Sequence, residues 1–518
     1  MPIKAFDDLQ LGFVPDQPAW KLPAGAFTDV RNFRFRDGAA ERIGGTTLVP
    51  GWGSLSATGV WAAGIQGGGA AYWVYANENV VYATDGASTA NLTSATASMS
   101  ADLDLGYTGG PYNGYLILND GTQNPRSWAP GIANRLVDLA AWPASTSAQV
   151  IRPFKQFLFA FRLTESGTYN GNLIRWSESA QPGNLPSSWD YTDPANDSGR
   201  TELGQTSDPL VDALPLRNSL MIYKERNTWV ADFVGGKNVF AFRQVFSQVG
   251  MLTENCAVPW MGKHFVVTLS DIVIHDGNEA QSILDDRARS WLFGQLDTTN
   301  YRRSFAALDW KNREIWFCYP ESGATYPNMA LVWNWQENTL YPRDLGQETA
   351  WAATGILPSN TGNKVIDSIS TIMDNLVGAT DVERYNPTDF PLLLFGADTP
   401  IALQNDEGGD FNGTAITSYL ERSSVELMKD INRQKKVLRI YPKILGANGD
   451  TIDIYVGTRA VFSDSTTWFG PYTFTIGTDY KIDCAVTGRI IDLRFSHNTA
   501  QVPRLFGYDV EWFPDGWQ

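Results

Sequence analysis

The stretch "HFVVTLSDIVIHDGNEAQSIL", residues 264–284, holds Ser270, Asp271, His275 and Asp276 within seven residues, with His264 just before them. These are the types that build a Ser-His-Asp nucleophile, or a divalent-metal site from two imidazoles and a carboxylate. The chain has only three histidines, His264, His275 and His497, so any such chemistry must draw on them. No G-x-S-x-G, H-E-x-x-H or phosphate-binding loop accompanies them. Apolar runs flank a Ser-Asp break, and His-Asp-Gly closes the second run. The earlier "YATDG" at 82–86 closes its own run in the same way, without a histidine. Asp-Gly makes a turn because Gly tolerates positive φ and Asp bonds nearby backbone N–H groups. A β-hairpin with His264 and His275 as cross-strand neighbours is therefore expected.

Paired carboxylates could serve glycoside hydrolysis. The acidic stretches "DYTDPANDSGRTE" (190–202) and "NDEGGDFNG" (405–413) are the places to look. Both are crowded with turn-forming residues, and the glycines of the second fall at the wrong offsets for a calcium loop. The S-x-D-x-G-x-T-W box of sialidase propellers is missing, and the sole Trp-Asp pair, Trp189-Asp190, does not recur with any period. Cys256, Cys318 and Cys484 lie far apart and read as reduced thiols, with neither a disulfide framework nor a zinc site indicated. No catalytic, cofactor-binding or metal-ligating residue is expected, and no enzyme activity.

Whatever the chain does rests on the elements around these residues. It has 518 residues, 13% aromatic, with 47 Gly and 27 Pro. That profile suits many short strands joined by tight turns. The net charge of −16 argues against a surface that wraps nucleic acid. It leaves room for a surface that DNA slides past. No run reaches membrane-spanning length, and no apolar leader opens the chain, so a soluble protein made in the cytoplasm is expected.

The hairpin at 264–277 is one of a series. Aligning Tyr72, Leu116, Leu158, Leu220, Val266, Trp316 and Leu393 gives gaps of 44, 42, 62, 46, 50 and 77 residues. A period near 40–50 residues marks a β-propeller, because one four-stranded blade cannot cover both its own faces. Six or seven blades are expected over 51–412, with an insertion such as "SNTGNKVID" (359–367) in a later blade. Beyond that, "KVLRIYPKIL", "TIDIYVGT", "PYTFTI", "GRIIDLRFSH" and "RLFGYDVEWF" predict an antiparallel β-sandwich over 413–518. Residues 1–50 read as an extended N-terminal arm. The fold class is all-β.

Two segments concentrate basic residues. "KDINRQKKVLR" (429–439) is one. In the other, "DVRNFRFRDGAAER" (29–42), Phe33 and Phe35 alternate with Arg31, Arg34 and Arg36, and Arg42 follows. Such a strand has an apolar and a cationic face. The six residues are the candidate assembly or docking edge for an acidic partner.

The opening "TDVRNFRFRDGAAERIGG" resembles the start of tail proteins of short-tailed bacteriophages, through Leu22, Pro23, Gly25, Asn32, Phe35, Asp37, Gly38 and Gly44. "LRNSLMIYKERNTWV" (216–230), the segment 246–277 and the ending "GRIIDLRFSHNTAQVPRLFGYDVEW" (488–512) are similar to the same family, the tail nozzle or tail hub, also called the packaged-DNA stabilisation protein. The resemblance spans roughly residues 20–510. It implies a non-catalytic virion protein of the phage tail that assembles as a homo-hexamer below the portal and its head-to-tail adaptor. The hexamer would meet tail fibre, needle or tip proteins distally. Its channel would retain packaged double-stranded DNA and pass it at ejection without sequence-specific binding. An acidic channel would repel phosphate and let DNA slide. Two competing readings remain: a receptor-binding or glycan-degrading propeller of a phage tail, and a general cellular interaction scaffold.

Overall fold

In the computed structural model all residues are described except 1, 8, 94–98, 237, 358–389, 429, 431–432 and 518. The insertion expected at 359–367 lies outside the described residues.

Six consecutive four-stranded antiparallel sheets follow the chain order from Trp61 to Asp344, and a seventh is built on Thr349–Thr354, Leu392–Gly396 and Ala402–Asn405. These are seven blades of a β-propeller. All seven residues aligned in the sequence fall on the second strand of their blades. The first strands adjoin one another around the axis, from Thr108–Tyr112 through Thr349–Thr354 and back to Trp61–Gly67. Separate apolar cores fill the wedges between blades. Trp73, Tyr75 and Phe395 join blades seven and one, Val74, Leu116 and Trp128 join one and two, and Phe159, Trp176 and Phe240 join three and four. Burying each such side chain is worth about 1.5–3 kcal/mol.

The innermost strands carry a repeat of their own. In blades two to five a proline precedes a large residue: Pro111-Tyr112, Pro153-Phe154, Pro215-Leu216 and Pro259-Trp260. An innermost strand is a sheet edge, where a residue without an N–H leaves no donor unpaired. A tight turn to the second strand follows, with positive φ at Asn113, Lys155, Arg217 and Met261.

The outer strand of the seventh blade comes from the other end of the chain. Thr46–Leu48 pairs antiparallel with Ala402–Asn405, Thr46 opposite Asn405 and Leu48 opposite Leu403. The propeller is thus closed by hydrogen bonds between its two ends, and it begins at residue 46 rather than 51. Gly45 sits where a Cβ would lie 2.0 Å from the Asp410 carbonyl oxygen, so only glycine lets the closing strand approach.

The C-terminal sandwich has two sheets, one ordered around Arg433–Leu445 and Arg504–Trp517, the other around Thr451–Arg459 and Ile490–His497. Residues 1–50 differ from the expected arm. Ile3–Phe6 pairs with Arg504–Trp517, and the hairpin Phe33–Arg36/Ala39–Arg42 joins the same sheet. Asp29–Arg31 pairs with Ser418–Arg422 in the other sheet. The start of the chain therefore completes both sheets of the sandwich, and its Phe6, Phe13, Phe27, Phe33 and Phe35 share one core with blades four to seven.

Candidate functional site

The histidine stretch is a hairpin of blade five. Lys263–Val267 pairs with Ile272–His275, with His264 directly opposite His275. Asp276 Oδ1 accepts the backbone N–H of Asn278 and Glu279 at 2.9 and 3.0 Å, as Asp85 Oδ1 does from Ala87 and Ser88 at 3.0 and 2.7 Å in blade one. Asp271 Oδ1 accepts the Ile272 backbone N–H at 2.8 Å, and its Oδ2 takes Arg289 Nη2 at 2.7 Å. Ser270 donates its backbone N–H to Thr268 Oγ1 at 3.4 Å.

The two imidazoles face Tyr223 from blade four. His264 Nε2 donates to the Pro215 carbonyl at 2.9 Å, so its Nδ1 accepts from the Tyr223 hydroxyl at 2.6 Å. Tyr223 Oη then accepts from His275 Nε2 at 2.7 Å. This chain leaves His275 Nδ1 as the buried, unprotonated nitrogen. Burial pushes the pKa of His264 down to about 4 and that of His275 to about 3, so both are neutral at pH 7. The arrangement ties blade four to blade five, and Asp276 turns away into its own loop.

Tyr223→Phe removes the hydroxyl that serves both rings and should cost about 1–3 kcal/mol, read as a lower urea midpoint. The unfolded chain binds protons at both histidines below about pH 6.5 and the folded chain does not. Their contribution to stability should therefore fall as pH drops from about 6.5 towards 3.

His497 lies buried in the sandwich with Asp450, Nε2 to Oδ2 at 3.0 Å, and Thr499 Oγ1 meets the same nitrogen at 3.1 Å. A triad needs the carboxylate and the hydroxyl on opposite nitrogens, so this group cannot act as one. The acidic loops are turn caps: Asp190 accepts from Thr192, Asp193 from Ala195, and Asp410 from Gly413. Among the described residues no group of three or more His, Cys, Asp or Glu is placed to hold a metal.

Of the six arginine and phenylalanine residues proposed as a docking edge, four face inward and Arg31 and Arg36 are half-buried. Phe33, Arg34, Phe35 and Arg42 are each at most 3% exposed. Arg31 pairs with Asp344 at 2.6 Å, Arg36 with Glu41 at 2.6 Å, and Arg42 donates to the Gly409 carbonyl at 2.7 Å. Arg34 pairs with Asp406 and donates to Asn312 Oδ1 at 3.0 Å. Burial alone would raise the Asp406 pKa, but Arg34 outweighs it and brings it down to about 2. The alternation was legible in the sequence; what covers the cationic face was not. Blade six and the segment after blade seven cover Arg34, and with Arg31 on Asp344 it joins propeller to sandwich, whereas Arg36 pairs within its own hairpin. In the second basic segment Lys435 is buried, and Arg439 bridges Asp483 at 2.8 Å and Glu511 at 3.1 Å.

The sequence reading missed the propeller axis. There a funnel of about 330 Å³ is lined by Pro111, Pro153, Leu214, Val258 and Trp351. Arg152 and Asn255 also line it, and behind them lies a fork to the buried Asp212. Arg152 Nε and Nη2 donate to the two oxygens of Asp212, each at 2.7 Å, and Nη2 also reaches Asn255 Oδ1 at 2.8 Å. Asp212 takes two further backbone N–H bonds, from Ala213 at 2.7 Å and Asn255 at 3.1 Å. With its acceptors filled, this carboxylate locks blades three, four and five at the axis. The recurring proline before a large residue was the signal that would have located it.

No known family profile matches the chain, and no curated protein matches it. Among solved structures it is similar to the WD40 β-propeller domain of Doa1, at 9% identity over 68% of this chain and 97% of that one, with a TM-score of 0.36. It is likewise similar to the AfRom2 CNH domain, at 10% identity over 70% and 98%, with a TM-score of 0.37. The propeller assignment rests on the strand ladders above, not on these likenesses.

Proposed function

We propose that the chain is a structural subunit of a phage tail, a nozzle that assembles as a hexamer beneath the portal and adaptor, retains packaged DNA and opens for its ejection. The observation that carries this reading is where the reactive side chains are spent. His264, His275, Arg34, Asp406, Arg152 and Asp212 all bond within the fold. What they build is a propeller and a sandwich fastened to each other through the segment whose sequence resembles the nozzle family. The net charge of −16 suits a conduit from which DNA phosphates are repelled. Portal–adaptor and fibre, needle or tip proteins are the partners that the resemblance supplies.

Native mass spectrometry of the purified chain, followed by electron-microscope class averages of the largest species, tests it. A six-fold ring with an open centre is expected. A monomer that cleaves a host surface polysaccharide would end this reading in favour of a glycan-degrading propeller.

A further inference from the structure

Asp309 and Glu314 are direct partners across the first hairpin of blade six, and each is 1% exposed. Like charges so placed repel, and in a buried site both carboxylates cannot stay ionised. Hydrogen bonds decide which one yields. Asp309 accepts three, from the Asn312 backbone at 3.2 Å, Asn312 Nδ2 at 2.9 Å and Asn405 Nδ2 at 3.3 Å. Glu314 Oε2 accepts one, from Trp316 Nε1 at 3.2 Å. Its Oε1 has none, because Arg34 Nη1 stands 3.9 Å away.

The other groups nearby relieve it only in part. Arg34, from the Phe33–Arg36 strand, makes its close pair with Asp406 and stands farther off, at 3.9 Å, from Glu314. Arg343, from the outer strand of blade six, lies 4.1 Å over the Trp316 ring. Tyr341 from the same strand is neutral, its pKa pushed up by burial, and its hydroxyl lowers the Glu314 pKa without reversing the effect of burial. Glu41 pairs with Arg36 and Arg504 and also stands 3.8 Å from Arg34 Nε, so it adds no cation to the site. The two guanidinium groups face three inner carboxylates, Asp309, Glu314 and Asp406, which leaves one negative charge too many.

We propose that Glu314 is held as the neutral acid in the folded chain, and that its ionisation loosens the joint between propeller and sandwich, making that joint a pH-sensitive latch. Burial is the main cause and pushes the Glu314 pKa up to about 7; it raises Asp309 as well. A raised carboxyl means the folded chain binds more protons than the unfolded one between about pH 4.5 and 7. The latch is therefore fully fastened below about pH 4.5 and released as pH rises through about 7. The buried histidines act in the opposite direction, so the comparison must be between wild type and Glu314→Gln.

Infrared difference spectra taken between about pH 5 and pH 9 should show the C=O stretch of a buried protonated carboxyl in the wild-type chain, and its loss in Glu314→Gln. Hydrogen exchange over residues 33–42, corrected for intrinsic rates, should quicken across the same range in wild type and stay flat in the variant. If Glu314→Gln does not fold, Asp309→Asn serves: removing the opposing carboxylate should move the band's disappearance to lower pH. A spectrum without the band at about pH 5, or a band unchanged by these variants, would overturn the protonation. A band with no accompanying change in exchange would overturn the latch.

Discussion

Replacing Arg34 by Met is expected to cost about 3–5 kcal/mol, the usual penalty for removing one partner of a buried ion pair. The side chain is buried at the point where the Phe33–Arg36 strand meets blades six and seven. Without it, Asp406 loses the cation that keeps it ionised, beside Asp309 and Glu314, and one more buried carboxylate must take up a proton or stay charged without a partner. Guanidinium denaturation should show a lower midpoint, steeper in its loss towards alkaline pH, where the uncompensated carboxylates ionise. Asp406→Asn placed on the Arg34→Met background should recover much of the loss, since it removes the orphaned charge. A loss under about 1 kcal/mol, the range of an exposed pair, would mean that the cluster is not a structural joint.

Deleting residues 1–48 should have the larger effect, loss of the cooperative fold altogether. The deletion removes the closing strand of blade seven together with strands from both sheets of the sandwich. Blade seven would expose the unpaired edge of Ala402–Asn405, an edge that natural sheets cover. Aggregation, or a broad non-cooperative melt by circular dichroism, is the expected result. A truncated chain with a single sharp transition near that of the full chain would restore these residues to the status of a detachable arm. Gly45→Ala is the milder version. Its Cβ meets backbone rather than a movable side chain, and it should lower stability by about 1–3 kcal/mol.

How much of this was legible in the sequence depended on the distance between partners. Each blade's central hairpin is local, so Tyr72, Leu116 and the five residues aligned with them mark seven second strands correctly. The His-Asp-Gly turn was equally plain, because Asp276 bonds Asn278 and Glu279, two and three residues on. In the sandwich, four of the five runs read from alternation fall mostly within single strands, and "PYTFTI" covers the end of Thr467–Thr475; Ile482–Gly488, "IDCAVTG", went unread because its pattern is short and ends in glycine. The first fifty residues were misread for a physical reason. Their alternation tells which side is apolar, but the carboxylate that neutralises Arg34 sits at position 406, and no local pattern connects the two. The Asp309–Glu314 pair is near in sequence, yet its burial comes from distant elements that the hairpin alone cannot reveal.

The closing strand also dictates an order of events during synthesis. Thr46–Leu48 leaves the ribosome early, while its partner Ala402–Asn405 follows roughly 350 residues later, which at about 5–20 residues per second is on the order of tens of seconds. Ile3–Phe6 waits longer still, for the final strand of the chain. Blades one to six can form in succession as they emerge, whereas the seventh cannot be sealed until Ala402–Asn405 has been made. Both strands are thus made long before they are used, and Thr46–Leu48 carries an unsatisfied β edge until its partner emerges. A chaperone that shields this leading segment would guard the step on which the whole propeller depends.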